Sequence, residues 1–137
     1  MKWMTHHATG TFVVKLTPQT PAPDCEEPTI GRMLIDKQFA GDLEASSKGQ
    51  MISTMGEVKG SAGYVAIERV TGTLNGRRGS FALQHSGTMT RGVPELSVTV
   101  IPDSGTDGLA GITGSMTIRI DAGKHSYTFD YAMPEEA

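Results

Sequence analysis

The chain has 137 residues, a formal net charge of −3 and 20% charged residues. That length suits one domain, residues 1–137, with a modest core, and the near balance of charge argues against nucleic acid or an anionic membrane as a partner. No apolar run approaches the roughly 18 to 20 residues that span a bilayer. The start, Met1-Lys2-Trp3-Met4-Thr5-His6-His7, has no apolar stretch of the secretory kind. The lone Cys25 cannot close an internal disulfide, which suits a reducing cytoplasm. Asp24, Glu26 and Glu27 surround it and discourage a thiolate, so it reads as an inert loop cysteine.

Seventeen glycines spread along the chain without a period, together with frequent Thr and Val, indicate an all-β protein with many tight corners. The first strand is expected over about Thr9 to Thr17, with Phe12, Val14 and Leu16 on one face. Pro18, Pro21, Pro23 and Pro28 then make a linker that cannot pair inside a sheet. A long second strand is read from Ile30 to Ser46, in which Met33, Ile35 and Phe39 alternate against Asp36 and Gln38. Gly41 would bend it as a bulge or barrel corner. Ser47-Lys48-Gly49 reads as a turn into a third strand, Gln50 to Met55.

The fourth and fifth strands, Ala62 to Leu74 and Arg78 to Arg91, flank Asn75-Gly76. An Asn-Gly step is the strongest short-range hairpin signal, because both residues tolerate positive φ. The sixth strand, Glu95 to Ile101, alternates Leu96, Val98 and Val100 against Ser97 and Thr99. A loop from Pro102 to Gly111 leads to the seventh, Ile112 to Ile120. Asp121-Ala122-Gly123 turns into the eighth, Lys124 to Ala132, with Tyr127, Phe129 and Tyr131 on one face. Short connections imply an antiparallel meander, and eight such strands either stack as a sandwich or close as a barrel. Closure removes exposed edges, and the glycines within strands supply its corners, so an eight-stranded barrel is expected.

Gly76-Arg77-Arg78-Gly79-Ser80-Phe81-Ala82-Leu83-Gln84-His85-Ser86-Gly87-Thr88, with Leu43 and the Pro102 to Gly111 loop, resembles an uncharacterised bacterial family of unknown function. The resemblance spans about Ala8 to Met133. It implies a small eight-stranded barrel like that of allene oxide cyclase, and it implies no activity. No motif here carries over the catalytic residues of the plant cyclase.

The hairpin fixes which side chains share a face. Tyr64, Ala66, Glu68 and Val70 lie with Phe81, Leu83, His85, Gly87 and Met89; this is the more apolar face and the expected interior. Glu68 and His85 are directly opposite if the loop has four residues, and diagonal if it has two. A carboxylate-oriented imidazole in an apolar lumen could act as a general acid or base, so Glu68 and His85 are the candidate catalytic residues. The plainer reading is a buried pair that satisfies its own hydrogen bonds. Tyr64, Phe81, Met89, Tyr127 and Tyr131 are the candidate ligand-binding residues, although aromatic residues in a barrel also serve as core.

Neither metal nor cofactor is expected. His6 and His7 point to opposite sides of an extended chain, and His85 and His125 have no partner at ligand spacing. No nucleophile elbow is present, and the Ser104-Gly105-Thr106 run lacks the lysine and helix of a phosphate loop. Two exposed arginines, Arg77 and Arg78, belong at the hairpin tip. The leading expectation is a barrel that holds a small, largely apolar molecule in its lumen. The alternatives are a cofactor-free isomerase or cyclase using Glu68, His85 and a tyrosine, and an oligomeric structural or stress-related protein with a filled lumen. A homo-dimer or homo-trimer is expected from the apolar Val13, Val65 and Ile67 on the outward face.

Overall fold

The computed structural model describes residues 3–20 and 27–134. Cys25, Pro21 and Pro23 fall outside those residues. The strands are β1 (Trp3–Gln19), β2 (Ile30–Gly41), β3 (Leu43–Met55), β4 (Ala62–Leu74), β5 (Arg77–Thr90), β6 (Val93–Val100), β7 (Thr106–Asp107), β8 (Thr113–Asp121) and β9 (Lys124–Pro134). Each long strand pairs antiparallel with the next long strand in the chain, and β9 returns to pair with β1. The result is a closed eight-stranded meander, with the short β7 added against the lower end of β5. No helix among the described residues is long and apolar enough to cross a membrane.

Asn75 and Gly76 adopt φ of 46° and 84°, and Leu74 pairs with Arg77 across them. This is the two-residue hairpin that Asn-Gly favours, since its twist matches that of the flanking strands. Arg91-Gly92 and Ala122-Gly123 repeat the device, with all four residues at positive φ. Arg91, expected at the end of a strand, is therefore a turn residue.

The region around Gly41 differs from the expectation. The chain turns at Gly41-Asp42, where Gly41 takes a φ of 103°, and β3 already starts at Leu43. Ser47, Lys48 and Gly49 are paired mid-strand with Lys37, Asp36 and Ile35. The turn is secured from across the barrel: the Leu43 amide donates to the Tyr127 hydroxyl at 2.9 Å, and that hydroxyl reaches the Ala40 carbonyl at 3.0 Å. Such long-range tethering is invisible to local turn propensity. The first strand also begins earlier than expected, so His6 and His7 belong to β1. There His6 stacks on Tyr131, while His7 faces outward and pairs with Asp130.

Strand alternation divides the lumen into two halves along the barrel axis. The lower half, at the Asn75-Gly76 end, is packed with Phe12, Phe39, Leu43, Leu74, Phe81, Leu83 and Phe129. Phe81 and Phe129 stack with centroids 5.6 Å apart. The loop between β6 and β8 closes this end. It inserts the fully buried Leu109 and Ile112, and it is stitched to β5 through Ser104 to the Ala82 amide and Thr106 to the Ser80 amide. The upper half is wider and less filled, and its inward residues Met33, Met51 and Tyr64 are only partly buried.

Candidate functional site

The boundary between the two halves carries four polar side chains. The two-residue β4–β5 loop sets Ala66 opposite His85 and Glu68 opposite Leu83, so Glu68 and His85 are diagonal neighbours on the inner face. His85 Nε2 and Glu68 Oε2 are 2.6 Å apart. Lys37 from β2 donates to the same carboxylate oxygen at 2.7 Å, and Ser47 from β3 donates to Oε1 at 2.7 Å. All four residues are buried, Glu68 completely. The Lys37 ammonium also lies 4.9 Å from the centroid of Phe12 and 5.8 Å from that of Phe39, so aromatic faces supply part of the solvation it has lost.

The electrostatics follow from that geometry. Burial alone would raise the Glu68 carboxyl. The hydrogen bond with His85, the charge and hydrogen bond of Lys37, and last the positive charge of His85 outweigh burial and hold it at about 2. An ionised carboxylate has no proton to give, so the short contact to His85 requires the proton to be on Nε2. In the neutral imidazole Nδ1 then carries the lone pair. Glu68 is accordingly a fixed anion that orients the ring.

Above this cluster lies a cavity of about 280 Å³ at the upper mouth, with Met51, Ala62, Tyr64, Gly87, Met89 and Leu96 in its wall. It is reached from the cluster along the strands: Gly87 is the next inward position above His85, and Met51 pairs with Ala66 beside it. Gly87 is needed there, because a Cβ at this position would come within 2.4 Å of the Tyr64 ring. Tyr64 thus lies flat against β5, with its centroid 6.5 Å from that of His85. Burial, then the charge of Glu68, raises the Tyr64 phenol above its ordinary value. A larger hollow of about 480 Å³ touches Gln50, Ile52, Val65, Ile67 and Gln84, which face outward by strand alternation, and its lining also includes Gly49, Ala66 and His85.

Of the residues expected to form a site, Glu68, His85, Tyr64 and Met89 are brought to the cluster or the mouth. Phe81, Tyr127 and Tyr131 are placed in the packed lower half. The hydroxyl of Tyr127 ties down the β2–β3 turn, and that of Tyr131 accepts from Asn75 Nδ2 at 2.7 Å. Burial raises the Tyr127 phenol; its hydrogen bond with Leu43 opposes this and the charge of Asp42 adds to it. Lys37 and Ser47 are the members that sequence reasoning missed. The signal for Lys37 was present: it shares parity with Met33, Ile35 and Phe39, which makes it a cation on an apolar face. Among the described residues no group of three or more His, Cys, Asp or Glu is placed to hold a metal.

A small closed barrel with a packed base, a buried four-residue polar cluster and an apolar mouth defines the class of this protein. A family model described as a protein of unknown function (DUF3224) matches residues 8–131, and the chain belongs to that family. It is also similar to the crystal structure of a protein of unknown function from the same family in Shewanella oneidensis MR-1. The two share 49% identity over 98% of this chain and 100% of that one, with a TM-score of 0.87. A comparison with curated proteins finds no match. Neither of these two matches bears on the likeness to allene oxide cyclase.

Proposed function

We propose that the barrel binds a small, largely apolar molecule at its upper mouth. The observation that carries this reading is the contrast between the base, where side chains fill the lumen, and the mouth, where Met51, Tyr64, Met89 and Leu96 line an open concavity of about 280 Å³. Apolar concavities of this kind, with a few convergent polar groups, are habitual ligand sites in barrels. At about 30 Å³ per water-sized unit the cavity accommodates roughly nine or ten non-hydrogen atoms. Naphthalene is a fitting test molecule. Titrated into isotopically labelled protein, it should shift the amide resonances of Ala62, Gly87 and Leu96 and leave those of Leu74 and Phe129 unmoved. Uniform shifts, or none, would overturn the reading. The lone Cys25 supports the reducing cytoplasm as the compartment in which this occurs.

The second reading is a cofactor-free isomerase or cyclase. It is favoured by the ionised Glu68 holding His85 through Nε2, one inward position along β5 from Gly87 in the cavity wall. In that case Glu68 is a positioning residue and His85 the acid–base group. Once a turnover assay exists, His85→Ala and Glu68→Gln should each impair it, with the double variant less than additive. Stability losses with full binding would instead mark the cluster as a structural contact. The filled base supports the third expectation, a structural or stress-related role, for that half alone.

A further inference from the structure

We infer that the upper, unpaired edge of β1 is a docking site for an extended acidic peptide, which joins the sheet as a further strand beside Val14 and Leu16. The site is separate from the mouth cavity, which β3 to β6 line, and the inference does not depend on that cavity. Three observations lead there.

The first is an edge that barrel closure leaves open. β1 pairs with β2 from Gly10 to Gln19, but its ladder with β9 ends at Phe12–His125. Beyond that pair, among the described residues, β1 has a neighbouring strand on one side only. Thr9 shows which groups turn to the open side. Its amide donates to Asp42 Oδ2 at 2.9 Å and its carbonyl accepts from the Asp42 amide at 3.1 Å, both toward β2. Backbone groups of successive residues point to opposite edges, so odd-numbered residues of β1 serve β2. The even-numbered Val14 and Leu16 direct theirs away from it, and among the described residues no backbone hydrogen bond outside the ladders involves either. Pro18 ends the edge, since it has no N–H and its carbonyl accepts from the Gln19 side chain at 3.2 Å. The amides and carbonyls of Val14 and Leu16 are a template for one more strand.

The second is a groove along that edge. A hollow of about 460 Å³ lies where β9 parts from β1, and its wall includes Phe12, Val13, Val14, Gly123, Lys124 and His125. The β8–β9 turn forms its far bank. Val13 is exposed and Val14 half-buried, on opposite faces of the strand, so a partner with alternating side chains finds apolar contact on both.

The third is charge. The chain carries a net charge of −3, yet Lys124 and His125 line this groove with no Asp or Glu in its wall. Lys15 is the next outward position beyond Val13. Among the described residues neither Lys15 nor Lys124 forms an ion pair, although Asp36 and Asp121 are their cross-strand neighbours. Acidic residues on the incoming strand complement both ammonium groups. A second copy of this chain is a poorer occupant. Pairing Val14 of each copy with Leu16 of the other would set the two Lys15 side chains directly opposite, where like charges destabilise a sheet.

The test titrates fluorescein-labelled pentapeptides into the intact protein and reads fluorescence anisotropy. The parent is Glu-Val-Thr-Val-Glu, compared with Lys-Val-Thr-Val-Lys and with two N-methylated forms of the parent. One form is methylated at its valines, the other at its glutamates and threonine. An added strand uses one edge of the peptide, so one methylated form should lose roughly tenfold in affinity while the other binds like the parent. The basic peptide should also bind roughly tenfold more weakly than the acidic one. Amide resonances of Val14, Leu16 and Lys124 should shift on binding, and those of Asn75 and Gly76 should not. Equal effects of the two methylations would overturn strand addition, equal binding of the acidic and basic peptides would overturn the acidic partner, and no binding would overturn both. Val14→Pro removes an N–H that β2 does not use, and edge strands accept proline, so it should abolish binding and keep the fold. A dimer of the unaltered protein that Val14→Pro dissociates would give the edge to a second copy and overturn the proposal. Should that variant fail to fold, the peptide series on the unaltered protein still decides.

Discussion

The two halves of one lumen are built by the same alternation of the same strands and come out as different materials. Below the Glu68 cluster, successive inward positions on β5 and β9 are Phe81, Leu83, Phe129 and Tyr131, and their volumes meet across the axis. Above it the inward positions include Ala62, Gly87 and Ser53, which are too small to meet. Residue size along a strand, rather than strand geometry, decides where a barrel is core and where it is a cup. The polar cluster lies at the junction, where a carboxylate can be both buried and supplied with three donors.

Truncation should expose this difference most strongly. Phe129→Ala removes a fully buried ring from the base and should cost about 3–5 kcal/mol in denaturant unfolding. Met89→Ala in the mouth, where the side chain is 41% exposed, should cost about 1 kcal/mol or less. Equal costs would erase the distinction between the halves.

The junction should announce itself in acid. The Glu68 carboxyl is lowered from its ordinary 4.5 to about 2, so the folded state holds its proton less tightly than the unfolded state does. Its stabilising contribution is therefore complete above pH 4.5 and lost as pH falls from there to about 2. The loss amounts to about 3 kcal/mol at 1.36 kcal/mol per unit. The stability difference between the parent and Glu68→Gln, followed across that range, isolates this effect from other carboxylates, and a flat difference would count against the cluster. Lys37→Met should move the window to higher pH, since burial then raises the carboxyl with less to oppose it.

A finer comparison uses single oxygen atoms. Tyr127→Phe leaves the Leu43 amide without its partner and should cost about 1–3 kcal/mol, while Tyr64→Phe should stay within about 0.5 kcal/mol. The smallest effect concerns the outside. Val13, Val65 and Ile67 are all more than half exposed, which favours self-association; light scattering that returns a mass near 14.6 kDa at micromolar concentration would exclude it.

The fold was legible where local chemistry dictates phase. Asn75-Gly76 admits one tight hairpin, and once its phase is set Glu68 and His85 must share the inner face. Only the loop length was open, and the structure selects the diagonal arrangement of the two-residue turn. Of the other two members of the cluster Ser47 was not legible, because it was assigned to a turn. Ser47-Lys48-Gly49 has turn composition, while the turn actually used, Gly41-Asp42, is fixed by a hydroxyl 84 residues away in sequence. Lys37 was passed over for a related reason. A lysine between Asp36 and Gln38 reads as solvated, and only its partner on β4 reveals why it points inward.

The joint between β6 and β8 has a consequence for motion. Among the described residues, one backbone pairing, Thr99 with Ser115, closes the wall there, whereas β4 and β5 pair from Ala62–Met89 to Leu74–Arg77. A closed cylinder that must breathe will part along its least-stitched line, at a free energy below that of global unfolding. Amide protons flanking this line should exchange with solvent first, while those of the hairpin beneath Glu68 persist to the global limit. The barrel therefore has a built-in place to open, on the wall opposite the strands that hold Lys37 and Ser47.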